Sequence, residues 1–352
     1  MNEELAGLIS IDQIIALARE RIEPGPHTWA DAAAGQEVTA SRNVRSLDHL
    51  ALVPQMLTDV GTVDTTSSFV GVPLSMPVML APVGAMSLYH EDGAMGSAQA
   101  AAAAETAAMC GMLVSEPWED LAATSPGRHF FQLYVCGDRE WLREVITRVE
   151  AAGFAGIVVT VDTPVIGRRD RALTSGFHWS RDSEDPYNLA QHGFDMDYRK
   201  RVTWSDFEWI CETATVPVIL KGVLAARDAA LAVRAGAAGI YVSNHGGRAL
   251  DHTISTIEVL AEVVDAVGPK IDVVIDSGFT RGPDVCKALA LGAKAVGIGR
   301  LQCWALGVGG QAGITRVLQI LRDEIETSMA NLGVAQVSDL EPDHVRWSIA
   351  TG

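Results

Sequence analysis

Eight short apolar runs recur along this 352-residue chain, and their spacing constrains the fold more than any other feature. They are PVMLAP (77–82), GMLVS (111–115), HFFQLYV (129–135), GIVVTVDTP (156–164), PVILKG (217–222), AGIYVSN (238–244), IDVVIDSG (271–278) and KAVGIGR (294–300). Each is nearly continuous in apolar residues, as a parallel strand covered on both faces must be. Segments with helical spacing lie between them, such as DREWLREVITRVEAAG and ARDAALAVRAGA, and Gly153, Gly236 and Gly292 supply stop signals. Eight strand–helix units in roughly 250 residues match an α/β fold of the TIM (β/α)8-barrel type. A doubly wound open sheet is the runner-up, weakened because no GxGxxG follows the first strand.

The layout predicts one domain over 1–352, with an N-terminal helical extension at 1–76 and the barrel at 77–330. Residues 165–203 form a long loop after strand 4, far beyond the roughly 2–6 residues of an ordinary βα connection. In a barrel that loop lies at the C-terminal face, so it reads as a lid. Residues 331–352 read as a terminal helix and a tail against a neighbouring subunit.

Composition narrows the class. Hydrophobic residues make up 48% of the chain and charged residues 20%, enough apolar surface for a sizeable core. A net charge of −17 argues against nucleic-acid or anionic-membrane partners. The five cysteines are scattered without a CxxC pair, so neither a disulfide framework nor a zinc or other metal site is expected. The start, MNEELAGLIS, lacks a signal pattern, and AQAAAAAETAAMCGML reads as a packed helix, not a membrane span. A cytoplasmic setting is the expectation.

The stretch YVSNHGGRALD (241–251) carries chemistry at the end of the sixth run. In a barrel the strand ends converge on one rim, and here they supply Gln132, Tyr134, Thr160, Asp162, Lys221, Ser243, His245, Asp276 and Arg300. A histidine near neutral pKa suits proton removal, and a carboxylate such as Asp162 would orient it and stabilise its charged form. Arg248 is placed to clamp a carboxylate with paired hydrogen bonds, and Arg168 and Arg169 offer a second cation. Lysine and arginine beside a conjugated cofactor would stabilise negative charge arising on reduction. This equipment suits oxidation of a carbon next to a carboxylate. Glycines 278, 282, 297 and 299 lie at or just past the ends of runs seven and eight, where barrels bind phosphate with backbone N–H groups.

These residues resemble the FMN-dependent α-hydroxy acid oxidases and dehydrogenases, a family that includes glycolate oxidase, lactate oxidase and mandelate dehydrogenase. The likeness runs from about residue 43 to 330, through FFQLYV, TVDTPVIGRR, ILKGV, SNHGGRALD and RGPDVCKALALGAKAVGIGR. It implies FMN as cofactor and oxidation of an (S)-2-hydroxy acid to the 2-oxo acid. It implies His245 as base supported by Asp162, with Arg169 and Arg248 on the substrate carboxylate and Tyr134 near the reacting carbon. Lys221 would face the flavin N1–C2 region. Gln132, Thr160 and Ser243 would hydrogen-bond the ring, Ala81, Pro82 and Val83 would back it, and Ser115 would join them. Asp276 would bind the ribityl chain, with Gly278, Gly299 and Arg300 toward the phosphate. A homotetramer is implied too.

Three departures from the family pattern stand out. Asp31 aligns where a substrate-binding tyrosine is usual, which suggests a larger substrate with an amine or polar group near Asp31. SEPWED is about four residues short, which bears on Trp118. Thr280 replaces the first of two arginines. The alternative they raise is a biosynthetic tailoring oxidase acting on a modified amino acid or carrier-bound intermediate. Non-redox FMN isomerases and a non-catalytic scaffold are weaker rivals, because the base and arginines are all present.

Overall fold

The computed structural model describes residues 3–177 and 194–348. Its central sheet holds β1 (Val78–Leu80), β2 (Met109–Gly111), β3 (Phe130–Leu133), β4 (Gly156–Thr160), β5 (Val218–Val223), β6 (Gly239–Val242), β7 (Asp272–Ile275) and β8 (Ala295–Ile298). All neighbouring pairs are parallel, in the order β1-β8-β7-β6-β5-β4-β3-β2. A parallel bridge between Leu80 and Ala108 joins the two ends, closing a TIM barrel. The second strand pairs at 109–111, earlier than the apolar run at 111–115 suggests. Met112 and Val114 are buried beyond the ladder, so that run is apolar for packing and not for pairing.

Side-chain alternation builds two cores. Met79, Met109, Phe130, Val158, Ile219, Tyr241, Val274 and Ala295, one from each strand, pack with one another inside the barrel. Their alternates, including Leu80, Phe131, Val159, Leu220, Val242 and Ile275, pack with the surrounding helices. Burying each such large apolar side chain contributes roughly 1.5–3 kcal/mol. A hairpin of Ser67–Phe69 and Val72–Leu74 plugs the N-terminal end, adding Phe69, Val72 and Leu74 to the inner core. The Val70 N–H donates to Asp272 Oδ2 (2.7 Å) at the start of β7, fixing the plug.

The helices follow their end signals. Arg139–Ala152 begins where Asp138 accepts from the N–H groups of Glu140 (3.1 Å) and Trp141 (3.0 Å). It buries Trp141, Leu142, Val145, Ile146 and Val149 on one face and stops at Gly153, whose φ is 86°.

Two expectations are corrected. The extension is not wholly helical: after helices Ile11–Arg21, Pro24–Asp31 and Val38–His49 come a short strand, Leu50–Leu52, and the hairpin. The C-terminal segment, expected to begin as a terminal helix, leaves helix Arg300–Leu332 for short 3-10 turns and a strand, Val345–Trp347, paired antiparallel with Leu50–Leu52. Of the loop read as a lid over 165–203, residues 178–193 lie outside the described residues, as do the last four of the tail. The described flanks include helix Asp170–Thr174 and the 3-10 helix Met196–Arg201. Among the described residues, no helix is long and apolar enough to cross a membrane.

Candidate active site

The C-terminal rim of the barrel opens into a cavity of about 290 Å³. Of the residues named from sequence, Ala81, Pro82, Val83, Gln132, Tyr134, Arg169, Lys221, His245, Arg248, Asp276, Gly278, Gly299 and Arg300 line it. Thr160 and Ser243 are buried outside the lining and Asp162 is partly buried there; Asp162 and Ser243 contact lining groups.

The turn after β6 is built around unusual backbone. His245, Gly246 and Gly247 all have positive φ, 57°, 65° and 74°. For a non-glycine residue this costs about 1–3 kcal/mol, offset here by side-chain anchors. A Cβ on Gly247 would come within 2.7 Å of the Ala40 backbone nitrogen, so only glycine fits. Asn244 and Asn43 exchange amide hydrogen bonds (2.7 and 2.9 Å), and Asn244 Oδ1 also accepts from Gly247 N. Asp251 accepts from Gln36 N (2.9 Å) and Thr39 N (2.8 Å), meeting bare N–H groups at the start of helix Val38–His49. Burial alone would raise its pKa, but the backbone N–H groups of Thr39, His252 and Val38 hold the carboxyl down at about 2. The extension therefore clamps the motif that carries His245 and Arg248.

Charge is organised around Lys221. Its ammonium donates to Ser243 Oγ (2.8 Å) and lies 3.7 Å from Asp276 and 4.0 Å from Asp162. Burial opposes that charge, but Asp276 and Asp162 outweigh it and raise the lysine pKa. Asp162 Oδ1 sits 3.1 Å from His245 Nδ1. Burial disfavours the Asp162 anion, yet Lys221 and His245 more than compensate and hold it below the usual carboxylate range. His245 goes the other way: burial lowers its pKa, against the upward pull of Asp162.

The two arginines differ. Arg248 Nη1 donates to the carbonyls of Trp29 (2.8 Å), Ala30 (2.7 Å) and Ala32 (2.8 Å), so it ties the end of helix Pro24–Asp31 to the rim. Among the described residues, Arg169 Nε and Nη1 are buried without a hydrogen-bond partner. Its guanidinium lies 4.7 Å from the Trp29 ring centre. Burial and the nearby Arg248 push its pKa down to about 9. A buried cation with unmet donors is a site for an anion.

Two expected contacts are absent. Asp31 does not line the cavity: its carboxylate pairs with Arg171, which also binds Glu37. The cation draws Asp31 outward, so the expected substrate contact is replaced by a salt bridge. Ser115 is exposed and outside the cavity wall, because the chain leaves β2 earlier than expected and Leu113 reaches the wall instead. Trp118, in the shortened segment, is buried against Phe131 (4.5 Å) and away from the cavity. Conversely Trp29, Tyr89, Arg199 and Trp304 line it without having been picked out from sequence. Trp29 sits within the HTWADAAAG segment, two residues from Asp31, and no local motif marks the others.

The family model of the FMN-dependent dehydrogenases matches residues 18–347. The chain belongs to the FMN-dependent dehydrogenase family. It is 36% identical to an L-lactate oxidase of Nostoc sp., over 95% of this chain and 96% of that one. It is 37% identical to glycolate oxidase 1 of Zea mays, over 94% and 93%. A crystal structure of mandelate oxidase with (S)-4-hydroxymandelic acid superposes with a TM-score of 0.91 at 33% identity, covering 97% of this chain and all of that one.

FMN is thus the cofactor, and this member of the family fits it. Gln132 Nε2, Thr160 Oγ1 and Arg300 Nη2 are buried at or beside the cavity without partners among the described residues. Such groups cost about 1–3 kcal/mol each unless a ligand meets them. A Cβ on Gly299 would touch nothing closer than Ala81 at 4.0 Å, which leaves open space at the start of helix Arg300–Leu332. Thr280 lines the same region.

Proposed function

We propose that the protein oxidises (S)-2-hydroxy acids to 2-oxo acids, with His245 as the base. FMN, when bound, supplies the acceptor for the electron pair. Gln132, Thr160 and Ser243 hold the ring edge and Ala81, Pro82 and Val83 back it. Asp276 takes the ribityl chain, and Gly278, Gly299 and Arg300 serve the phosphate end. Lys221 adds a fixed positive charge beside the ring.

The observation that carries the reading is Arg169, whose guanidinium lines the same cavity as His245 and has two buried donors unmet among the described residues. It receives the substrate carboxylate, and Arg248 adds charge while bracing the wall. Tyr134 hydrogen-bonds near the reacting carbon. With Nδ1 held by Asp162, His245 presents Nε2 to the substrate, and its lowered pKa keeps the imidazole neutral and able to accept a proton. Asp162, anionic throughout, then stabilises the imidazolium.

The lactate, glycolate and mandelate oxidases among the relatives support this substrate class. The tailoring-oxidase alternative leaned on Asp31, which is occupied by Arg171. A homotetramer, as the resemblance implies, and a cytoplasmic setting, supported by five unbridged cysteines, complete the proposal. The test is product analysis: 2-oxo acid trapped as its hydrazone from wild type, and lost in His245→Gln protein that still binds FMN. Equal yield from the variant would remove His245 from its role.

A further inference from the structure

Among the described residues, five cationic side chains line the cavity: Arg169, Arg199, Lys221, Arg248 and Arg300. Asp276 is the one carboxylate in the lining among the described residues, and Lys221 already neighbours it. In a chain of net charge −17 this excess of positive charge is local and built for anions. Four of the five have a task in the reading above: Lys221 at the ring, Arg300 at the phosphate end, Arg169 and Arg248 at one carboxylate. Arg199 has none.

Arg199 belongs to the 3-10 helix Met196–Arg201, at the end of the connection between β4 and β5. Its Nε donates to the Met196 carbonyl (3.0 Å), which fixes the side chain's course. The guanidinium lies 5.3 Å from the centre of the Tyr134 ring, an arrangement that favours a cation over the ring face. Among the described residues no carboxylate lies within ion-pair distance of it; the neighbouring Asp197 is paired with Lys200. Nor is it placed for the cofactor's phosphate. Four steps separate β4 from β8 around the eight-stranded ring, so the Arg199 connection stands across the rim from the loops after β8. It stands instead on the side of Tyr134 and Arg169, where the substrate is read to bind.

We propose that Arg199 receives a second carboxylate, so that the preferred substrate is a 2-hydroxy dicarboxylic acid. The inference rests on the 2-hydroxy acid reading and names the substrate within it. Arg169 takes the carboxylate next to the reacting carbon. Arg199, beyond the Tyr134 ring, takes the distal one through the remaining donors of its fork.

The test uses purified holoenzyme and pairs of equal chain length: (S)-2-hydroxyglutarate against (S)-2-hydroxypentanoate, and (S)-malate against (S)-2-hydroxybutyrate. The quantity read is the ratio of kcat/KM within each pair, in wild type, Arg199→Gln and Arg199→Lys. The dicarboxylate should lead by about tenfold or more in at least one pair. Arg199→Gln should collapse that ratio by about 10- to 150-fold, the range for a lost charge-assisted hydrogen bond, and Arg199→Lys should restore part of it. A binding readout accompanies it: perturbation of the oxidised flavin spectrum by glutarate, weakened by Arg199→Gln. A wild-type preference for the monocarboxylates, or a ratio unchanged in Arg199→Gln, overturns the proposal and leaves the 2-hydroxy acid reading intact. Failure of all four acids to reduce the flavin overturns both.

Discussion

His245 Nδ1 lies 3.1 Å from Asp162 Oδ1, and the second oxygen of that carboxylate lies 4.0 Å from Lys221 Nζ. One buried anion therefore serves both the base and the cation beneath the cofactor site. Burial lowers the His245 pKa and Asp162 raises it. Removing the carboxylate in Asp162→Asn takes away the raising influence, so the acid limb of kcat/KM should move to lower pH. The plateau should fall by about 100-fold or more, as an unsupported imidazolium is harder to form. A pH profile of both proteins checks this, and an unmoved limb would count against the pairing.

Arg169 should matter mostly through binding of the carboxylate. In Arg169→Met the two unmet donors disappear and kcat/KM should drop by about 10- to 150-fold. Steady-state kinetics together with flavin content separates this from loss of the cofactor. Full FMN occupancy with unchanged kcat/KM would contradict the assignment.

Gly297 and Tyr241 share one space. A Cβ at Gly297 would collide with the Tyr241 hydroxyl, which is buried inside the barrel. Gly297→Ala should lower stability by about 1–3 kcal/mol and reduce retained FMN, since residue 297 lines the cavity. Tyr241→Phe in the same chain should recover part of the loss by deleting the colliding oxygen. Thermal unfolding and flavin absorbance of the single and double variants test the pair.

His129 predicts an acid-side weakness unrelated to catalysis. Its Nδ1 accepts from Ala108 N (3.1 Å), and its Nε2 lies 2.9 Å from Thr124 Oγ1. Burial pushes its pKa down to about 4. The unfolded chain, with an ordinary histidine near 6.5, binds the extra proton first. Stability from this group is thus fully present above about pH 6.5 and lost as pH falls toward 4, by about 2–3 kcal/mol. Urea unfolding at pH 7 and pH 4.5 should show a smaller pH loss in His129→Gln than in wild type.

Much of this was legible because parallel strands buried on both faces leave continuous apolar runs and their polar ends share one rim. Hence His245, Lys221, Arg169 and Gln132 come together as read. Hydrophobicity reports burial and not pairing, which is why Met112 and Val114 drew the second strand too late. Asp31 misled for a different reason: its partner Arg171 is 140 residues away, and no local pattern reveals such a pairing. Arg199 and Tyr89 reach the cavity from connections whose paths only the fold determines.

The most direct measurement is the visible spectrum of the purified holoenzyme during anaerobic addition of 2-hydroxy acids. The flavin band should bleach with an (S)-2-hydroxy acid and not with its (R)-isomer. A protein that holds no flavin after incubation with FMN, or a band unchanged by every acid in the panel, would contradict it.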